Sequence, residues 1–577
     1  MRLPVLRAWR VRRGRGRQPI ISIVVHSFFS FRKCRAWRAG VVAGMVLALA
    51  LSVHARGQAG QESAAEGAVA GRGRILLVLP FDNHTGQPSL EWIREAAAQL
   101  LGSRFASAGF APMSREDRLY ALDHLGLPEG FQPSRASALK LAQTLDADSI
   151  IVGSYETEGS DIVAEARVVD VPHLRMSAAV SSRGAMSNMI AVFDSLAWKL
   201  TRVMDPSFNG AEETFVAAGK GLRVDAFEQY IRGITEPDQT ERLHHLQLAV
   251  KLSPGFSPAW MALGREDYSG QKYEAAAAAF AKVGRDDPDA LEAGFYRGLS
   301  LLFSGDYPHA EEAFSGVAEI LPLAEVLNNQ GVAISRQGHD GSVLFRKAVA
   351  ADPEAADYHF NLAVSLKRKG ASSEALTELA QCLKLRPTDS EAQGLMAAWK
   401  APAKAPAAGT VQDLDEDAKP DPLERIVRTF DAVEFRQAAQ MMDQMEVARL
   451  AALSPHERAV KLAGHAKEYL DRGLLLEAER LYQSSIAADA TVAEAHAGLA
   501  EVRERTGDTA AARNEAQAAL KIEPSAEAYM VLARLDFGAD HLDEAGKEAG
   551  AALKLDPGSR AAKELSQKIQ SKAGKTQ

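Results

Sequence analysis

Residues 289–322 read DALEAGFYRGLSLLFSGDYPHAEEAFSGVAEILP, a 34-residue unit ending on Pro322. Two stretches of helical apolar period flank Gly305, and Ala310 and Phe314 lie four apart on one face of the second stretch. The same landmarks recur on both sides. Pro254, Pro288, Pro322, Pro353 and Pro387 are separated by 34, 34, 31 and 34 residues, and Pro524 and Pro557 by 33. Ala276, Ala310, Ala375, Ala478, Ala512 and Ala545 share one phase, with Phe280, Phe314, Leu379 and Tyr482 four residues after the first four of them, and Ala516 and Ala549 as smaller versions. Preceding helices carry Trp260-x-x-Leu263-Gly264, Leu327-x-x-x-Gly331, His359-x-x-Leu362-Ala363, His496-x-x-Leu499-Ala500 and Tyr529-x-x-Leu532-Ala533. Gly305, Gly338, Gly370, Gly473 and Gly507 mark the turns.

This pattern resembles the tetratricopeptide repeat, a 34-residue helix–turn–helix unit. The small residue lets two helices approach, the bulky one four positions on fills the gap to the next hairpin, and the proline stops the second helix. Such hairpins bury their apolar faces only by stacking, which leaves a concave groove. The expected fold class is therefore α+β multidomain: an N-terminal α/β domain with a mixed sheet, then an all-α tetratricopeptide solenoid in two arrays. Array one spans 211–399, with about five hairpins and an end helix near Ser390–Trp399. Residues 400–421, Ala/Pro-rich and then acidic, read as a linker. Array two spans 422–573. Its first unit, about Pro422–Leu453, is expected to be helical but off-pattern; clearer hairpins occupy 459–557, and a C-terminal helix closes it.

Residues 72–206 form the α/β domain in this reading. Ile75–Phe81 is a continuous apolar run suited to a buried strand, and Asp82-Asn83-His84-Thr85-Gly86 a turn. Ser89 is the expected cap of a helix to about Ala108. A short strand at Phe110–Met113 precedes helices opening at Ser114, with Asp117 completing a capping box, and at about Ala136. Strands follow at Ser149–Tyr155, Ile162–Val171 and Met176–Ser182, then a helix to Met204. The first strand with Asp82-Asn83, together with Leu145–Tyr155 and Val168-Val169-Asp170-Val171, resembles the TolB amino-terminal-like domain. That resemblance implies a role in bacterial envelope assembly or protein association and carries over no catalytic residues.

The charge is uneven. Residues 1–56 hold 11 Arg, one Lys and no acidic residue, +12 against a whole-chain charge of −8, so the remainder carries about −20. An acidic body argues against a nucleic-acid surface. Arg35 and Arg38 precede the apolar stretch Ala39–Leu51 and small residues up to Ala55, the layout of a secretory signal. Residues 1–56 thus read as basic leader and signal peptide, and 57–71 as a flexible tether. The expected location is periplasmic or envelope-associated; the alternative is an inner-membrane anchor through an uncleaved N-terminal helix, in a sensor or assembly subunit.

Chemistry-bearing motifs do not appear. No phosphate loop follows a strand, and zinc-ligand spacing and a nucleophile elbow are missing. No catalytic residue, cofactor or metal is expected, and an enzyme working through the α/β domain is the weaker alternative. Cys382 reads as a small buried thiol. The expected partners are other proteins or peptide segments, with no nucleic acid, and membrane contact only through an uncleaved signal; the oligomeric state is open. The candidate partner-binding groove comprises Met261, Arg265, Tyr268, Phe295, Leu299, Asn328, Asn329, Phe360, Lys367 and Arg368, with Phe295, Leu299 and Phe360 also suited to packing between hairpins.

Overall fold

The computed structural model describes residues 75–131, 134–285, 287, 289–401, 422–429, 445–446 and 448–576. The expected leader and signal, the tether and residues 402–421 of the linker lie outside the described residues.

The apolar run at 75–79 forms strand β1 (Ile75–Val78), parallel to both β3 (Ala111–Pro112) and β4 (Ser149–Glu158). Its residues alternate between two cores: Leu76 and Val78 face one, Leu77 and Leu79 the other. β2 (Asp82–Asn83) also runs parallel to β4. β5 (Asp161–Asp170) returns antiparallel along β4, from Ser149 opposite Asp170 to Glu158 opposite Asp161. Helices α1 (Ile93–Ser107) and α4 (Met189–Met204) cover the first core, and α2 (Arg115–His124) and α3 (Arg135–Thr144) the second.

Three local expectations fail. Asp82 and Asn83, expected to open a turn, form strand β2, and the turn follows them, with Asn83 Oδ1 accepting the Thr85 N–H at 2.9 Å. Ser89 does not cap α1: Pro88 starts a short 3-10 turn, and α1 begins after Trp92 without a side-chain cap. The strand expected at Met176–Ser182 splits into β6 (Arg175–Met176) and β7 (Val180–Ala185), both on β5. At the break the Ser177 hydroxyl accepts the Val168 N–H at 3.0 Å in place of a main-chain carbonyl. The Ser114–Asp117 capping box does form.

After α5 (Glu212–Ala218) the described chain is built of helical hairpins, residues 422–429 excepted. Array one pairs α6 (Val224–Thr235) with α7 (Gln239–Leu252), α8 (Ser257–Ser269) with α9 (Tyr273–Phe280), and α10 (Ala290–Ser304) with α11 (Tyr307–Ile320). It continues with α12 (Ala324–Arg336) and α13 (Ser342–Ala351), then α14 (Ala356–Arg368) and α15 (Ser372–Leu385), and ends on α16 (Ser390–Lys400). Array two pairs α17 (Pro455–Asp471) with α18 (Leu475–Ala488), α19 (Ala493–Thr506) with α20 (Thr509–Ile522), and α21 (Ala526–Gly538) with α22 (Leu542–Leu555), closed by α23 (Arg560–Thr576).

One contact sets the hairpin spacing. A Cβ built on Gly264, Gly298 or Gly331 would stand 2.7 Å from the ring of Phe280, Phe314 or Phe345, so each ring nests against the glycine of its own hairpin's first helix. The ring was expected to fill the gap to the next hairpin. It serves the hairpin's own closure first, although Phe280 also stacks on Tyr296 of the next at 5.8 Å. The phased alanines of the second helices are fully buried. Gly305, Gly338, Gly370, Gly473 and Gly507 have φ of +80° to +98°, the left-handed turn that glycine adopts at least cost.

Array two folds back. Leu476 of α18 joins the core of the α/β domain, and Glu479 accepts the Ala211 N–H at 3.0 Å while pairing with Arg503 at 2.5 Å. Its first hairpin therefore rests on the segment that connects the α/β domain to array one.

The largest correction concerns the start of array two. Residues 422–429, expected to be helical, have no helical structure; they cross array one as an extended strap. Of the rest of that expected unit, residues 430–444 and 447 lie outside the described residues, while 445–446 and 448–451 are helical as expected.

Gly298→Ala gains about 1 kcal/mol of helix propensity but drives a methyl into a buried ring, at a cost of about 1–3 kcal/mol. The expected result is a lower denaturant midpoint with unchanged helical circular dichroism. A second expectation follows from His496, whose pKa is raised by its hydrogen bond to Glu515 (2.7 Å), against the opposing effect of burial. A raised folded-state pKa stabilises below the unfolded value and loses that contribution as pH rises through the folded value. The urea midpoint should fall from pH 6 to pH 8.5 by more in the native chain than in His496→Gln.

Candidate groove on the first array

The strap Pro422–Thr429 lies across the first helices of the later hairpins, and its main chain is read by carboxamides. Asn361 Oδ1 accepts the Arg425 N–H at 2.6 Å, and its Nδ2 donates to the Arg425 carbonyl at 2.7 Å. Asn329 repeats this on Val427, accepting its N–H at 2.9 Å and donating to its carbonyl at 2.8 Å. Asn328 Nδ2 donates to the Arg425 carbonyl at 3.1 Å, while its Oδ1 accepts from Asn361 at 2.8 Å. Residues two apart in an extended chain present their main-chain groups the same way, so two paired carboxamides suit alternate residues. Asn328 and Asn361 stand 33 residues apart, one repeat on, which is how the solenoid brings them together.

Charge fixes the register. The Glu424 side chain is fully buried, held by Arg336 at 3.2 Å, by Arg368 and by the Ser335 hydroxyl. Arg368 also donates to the Pro422 carbonyl at 2.8 Å. The Arg425 guanidinium lies 3.6 Å from the centroid of the Phe360 ring and pairs with Asp357 at 2.9 Å, Asp389 at 2.6 Å and Glu391 at 2.9 Å. The hydrogen bonds from Arg425 hold the Asp389 carboxyl below its ordinary range. Burial pushes Asp357 the other way, but Arg386 and Arg425 together leave it lowered. Ile426 packs against the apolar set around Phe295, Leu299 and Leu362, and Val427 against that of Leu327 and Tyr358. Arg428 stands 4.8 Å over Phe303, whose ring stacks on Tyr273 and borders Tyr268.

The candidate residues divide. Asn328, Asn329, Phe360 and Arg368 touch the strap directly. Tyr268 belongs to the aromatic group at its far end, where burial pushes the hydroxyl up to about 12. Phe295 and Leu299 are fully buried, Phe295 edge-on to Phe314 at 5.8 Å; they pack hairpins together within the apolar set that Ile426 of the strap covers. Met261 is likewise buried, against Phe280 and Ala276. Arg265 faces elsewhere, into a cleft of about 1040 Å³ between α2 and array one, pairing with Glu292 at 2.6 Å and Glu116 at 3.5 Å. Lys367 donates to the Ser372 hydroxyl, with its ammonium over Trp399. Ser335, Arg336, Asp357, Asn361, Asp389 and Glu391 were not anticipated. Repeat phase could have found Asn361, one repeat after Asn328; the others lie at helix ends where charge usually signals only solvation. The Cys382 thiol is buried, which pushes its pKa up to about 11.

Asn361→Ala removes both bonds to Arg425 and leaves its amide unpaired. At about 1–3 kcal/mol, hydrogen exchange at the Arg425 and Val427 amides should accelerate roughly 10- to 100-fold, with amides in α17–α23 unchanged.

Residues 261–325, 340–390 and 464–527 match the family model described as tetratricopeptide repeat. No curated protein matches the chain. Among solved structures, MamA 41-end from Desulfovibrio magneticus RS-1 is 22% identical, covering 29% of this chain and 99% of its own at a TM-score of 0.27. YrrB, titled a TPR protein with an unusual peptide-binding site, is 16% identical, covering 35% and 99% at 0.27. The first TPR of Spaghetti (RPAP3), bound to the HSP90 peptide SRMEEVD, is 22% identical, covering 21% and 95% at 0.20. Stacked hairpins with glycine-nested rings and the family match in both halves of the solenoid establish that this chain carries tetratricopeptide repeats in both arrays.

Proposed function

We propose that the chain is a non-enzymatic interaction scaffold that captures extended segments of partner proteins in the groove of array one. The observation that carries this reading is the pairing of Asn361, Asn328 and Asn329 with the main chain of residues 425 and 427. Main-chain recognition provides affinity for an extended segment, and the flanking pockets choose its side chains. Tetratricopeptide repeats are protein-interaction modules, which accords with it.

The finer reading is a cell-envelope adaptor. It rests on the basic leader followed by the apolar stretch at 39–51, and on the TolB-like pattern of the α/β domain. In this reading the protein is exported and works in the periplasm or at the envelope, in assembly or protein association. N-terminal sequencing of the exported protein separates a cleaved form from one anchored by its signal.

Replacing Phe360 and Asn329 together with Ala should reduce crosslinked capture of partner segments from cell envelopes at least tenfold, while circular dichroism stays unchanged. Undiminished capture would retire the groove as the binding site.

A further inference from the structure

The groove's present occupant specifies its ligand. Every class of groove residue finds its counterpart in Pro422–Thr429: a carboxylate on the Arg336–Arg368 pair, a guanidinium on Phe360 and three acidic groups, two apolar side chains, then a guanidinium on Phe303. A strut meant only to fill a groove would gain more from apolar contact. Burying an ion pair adds little net stability, because desolvation offsets most of the attraction, whereas it penalises any sequence lacking the right charges. Arg368, Asp357 and Glu391 among the strap's charged partners are part-exposed even with the strap in place, so water can solvate them once it leaves. Its contacts therefore favour selection over permanence.

Building on the scaffold reading, we propose that residues 422–429 are an intramolecular ligand, and that the partner is an extended protein segment of the same chemistry: Glu, Arg, two apolar residues, Arg. The strap and the partner compete for Asn328, Asn329 and Asn361. A covalently tethered competitor acts at an effective concentration on the order of mM. The groove is then closed to weak or mismatched segments and open to those that match the whole charge pattern or arrive at high local concentration.

The test uses the full chain and a fluorescent synthetic peptide with the sequence of residues 422–429, followed by anisotropy. Glu424→Ala/Arg425→Ala removes the strap's two charged anchors, and this variant should bind the peptide roughly 30-fold or more tightly than the native chain. Adding Asn329→Ala/Asn361→Ala should abolish that gain, and a peptide with Glu and Arg exchanged should fail to bind. Equal affinity for native chain and strap variant overturns the competition but leaves the groove reading intact. A peptide that binds neither overturns the groove reading itself. Should the strap variant fold poorly, hydrogen exchange on the native chain decides: saturating peptide should accelerate exchange at the Arg425 and Val427 amides, and unchanged protection overturns the proposal. A native dimer that the strap variant dissolves would mean the segment is donated by a second copy, which also overturns the intramolecular form.

Discussion

The structure depends on an aromatic ring seated on a glycine. Gly264, Gly298 and Gly331 let Phe280, Phe314 and Phe345 come closer than any other residue would allow. That distance fixes the crossing of the two helices, and repetition of one crossing curves the stack. Curvature in turn aligns one helix per hairpin along the concave face. Asn328 on α12 and Asn361 on α14 share the Arg425 carbonyl, and Gly331, three residues after Asn328, seats Phe345 of the same hairpin. In Array two the alanines Ala512, Ala516, Ala545 and Ala549 take over much of this packing, and Tyr482 nests against Gly498 of the next hairpin instead.

A concave face of carboxamides and charges makes a polar surface with few internal partners. Asn328, Asn329 and Asn361 are fully buried with the strap in place, and a buried carboxamide left unpaired is costly. The strap satisfies these groups with main-chain atoms that any extended segment carries. Sequence enters only at the flanks, through the two arginines around Glu424 and the three carboxylates around Arg425. Affinity and selectivity thus reside in different atoms of one groove.

Helical period, glycine turns and phased alanines were legible because each obeys a local rule repeated many times. Two non-glycine residues, Gln271 and Asp540, adopt the same left-handed turn at φ of +60° and +63°, so stacking enforces it even where propensity does not. The groove was only partly legible. Asn328, Asn329, Phe360 and Arg368 fell in the right phase, but phase alone cannot separate a residue that meets the strap from one that packs hairpins together, as Met261 against Phe280 shows. The strap was illegible for a stronger reason. Leu423, Ile426 and Val427 occur at spacings compatible with a helix, and the helical neighbours argue for one. What holds them extended is the set of carboxamides and charges 34 to 98 residues earlier in the chain, and no local propensity encodes that.

The placement of array two gives the strap a further role. Its first hairpin is anchored to the connection before array one through Glu479 and Leu476, while the strap is anchored within array one. The chain between them is therefore held at both ends when the strap is docked. Leaving the groove frees one of those ends and leaves the other in place, so release of the strap need not separate the arrays. A partner that takes the groove can then displace eight residues without dismantling the contact between array two and the α/β domain, which confines the energetic cost of exchange to the groove itself.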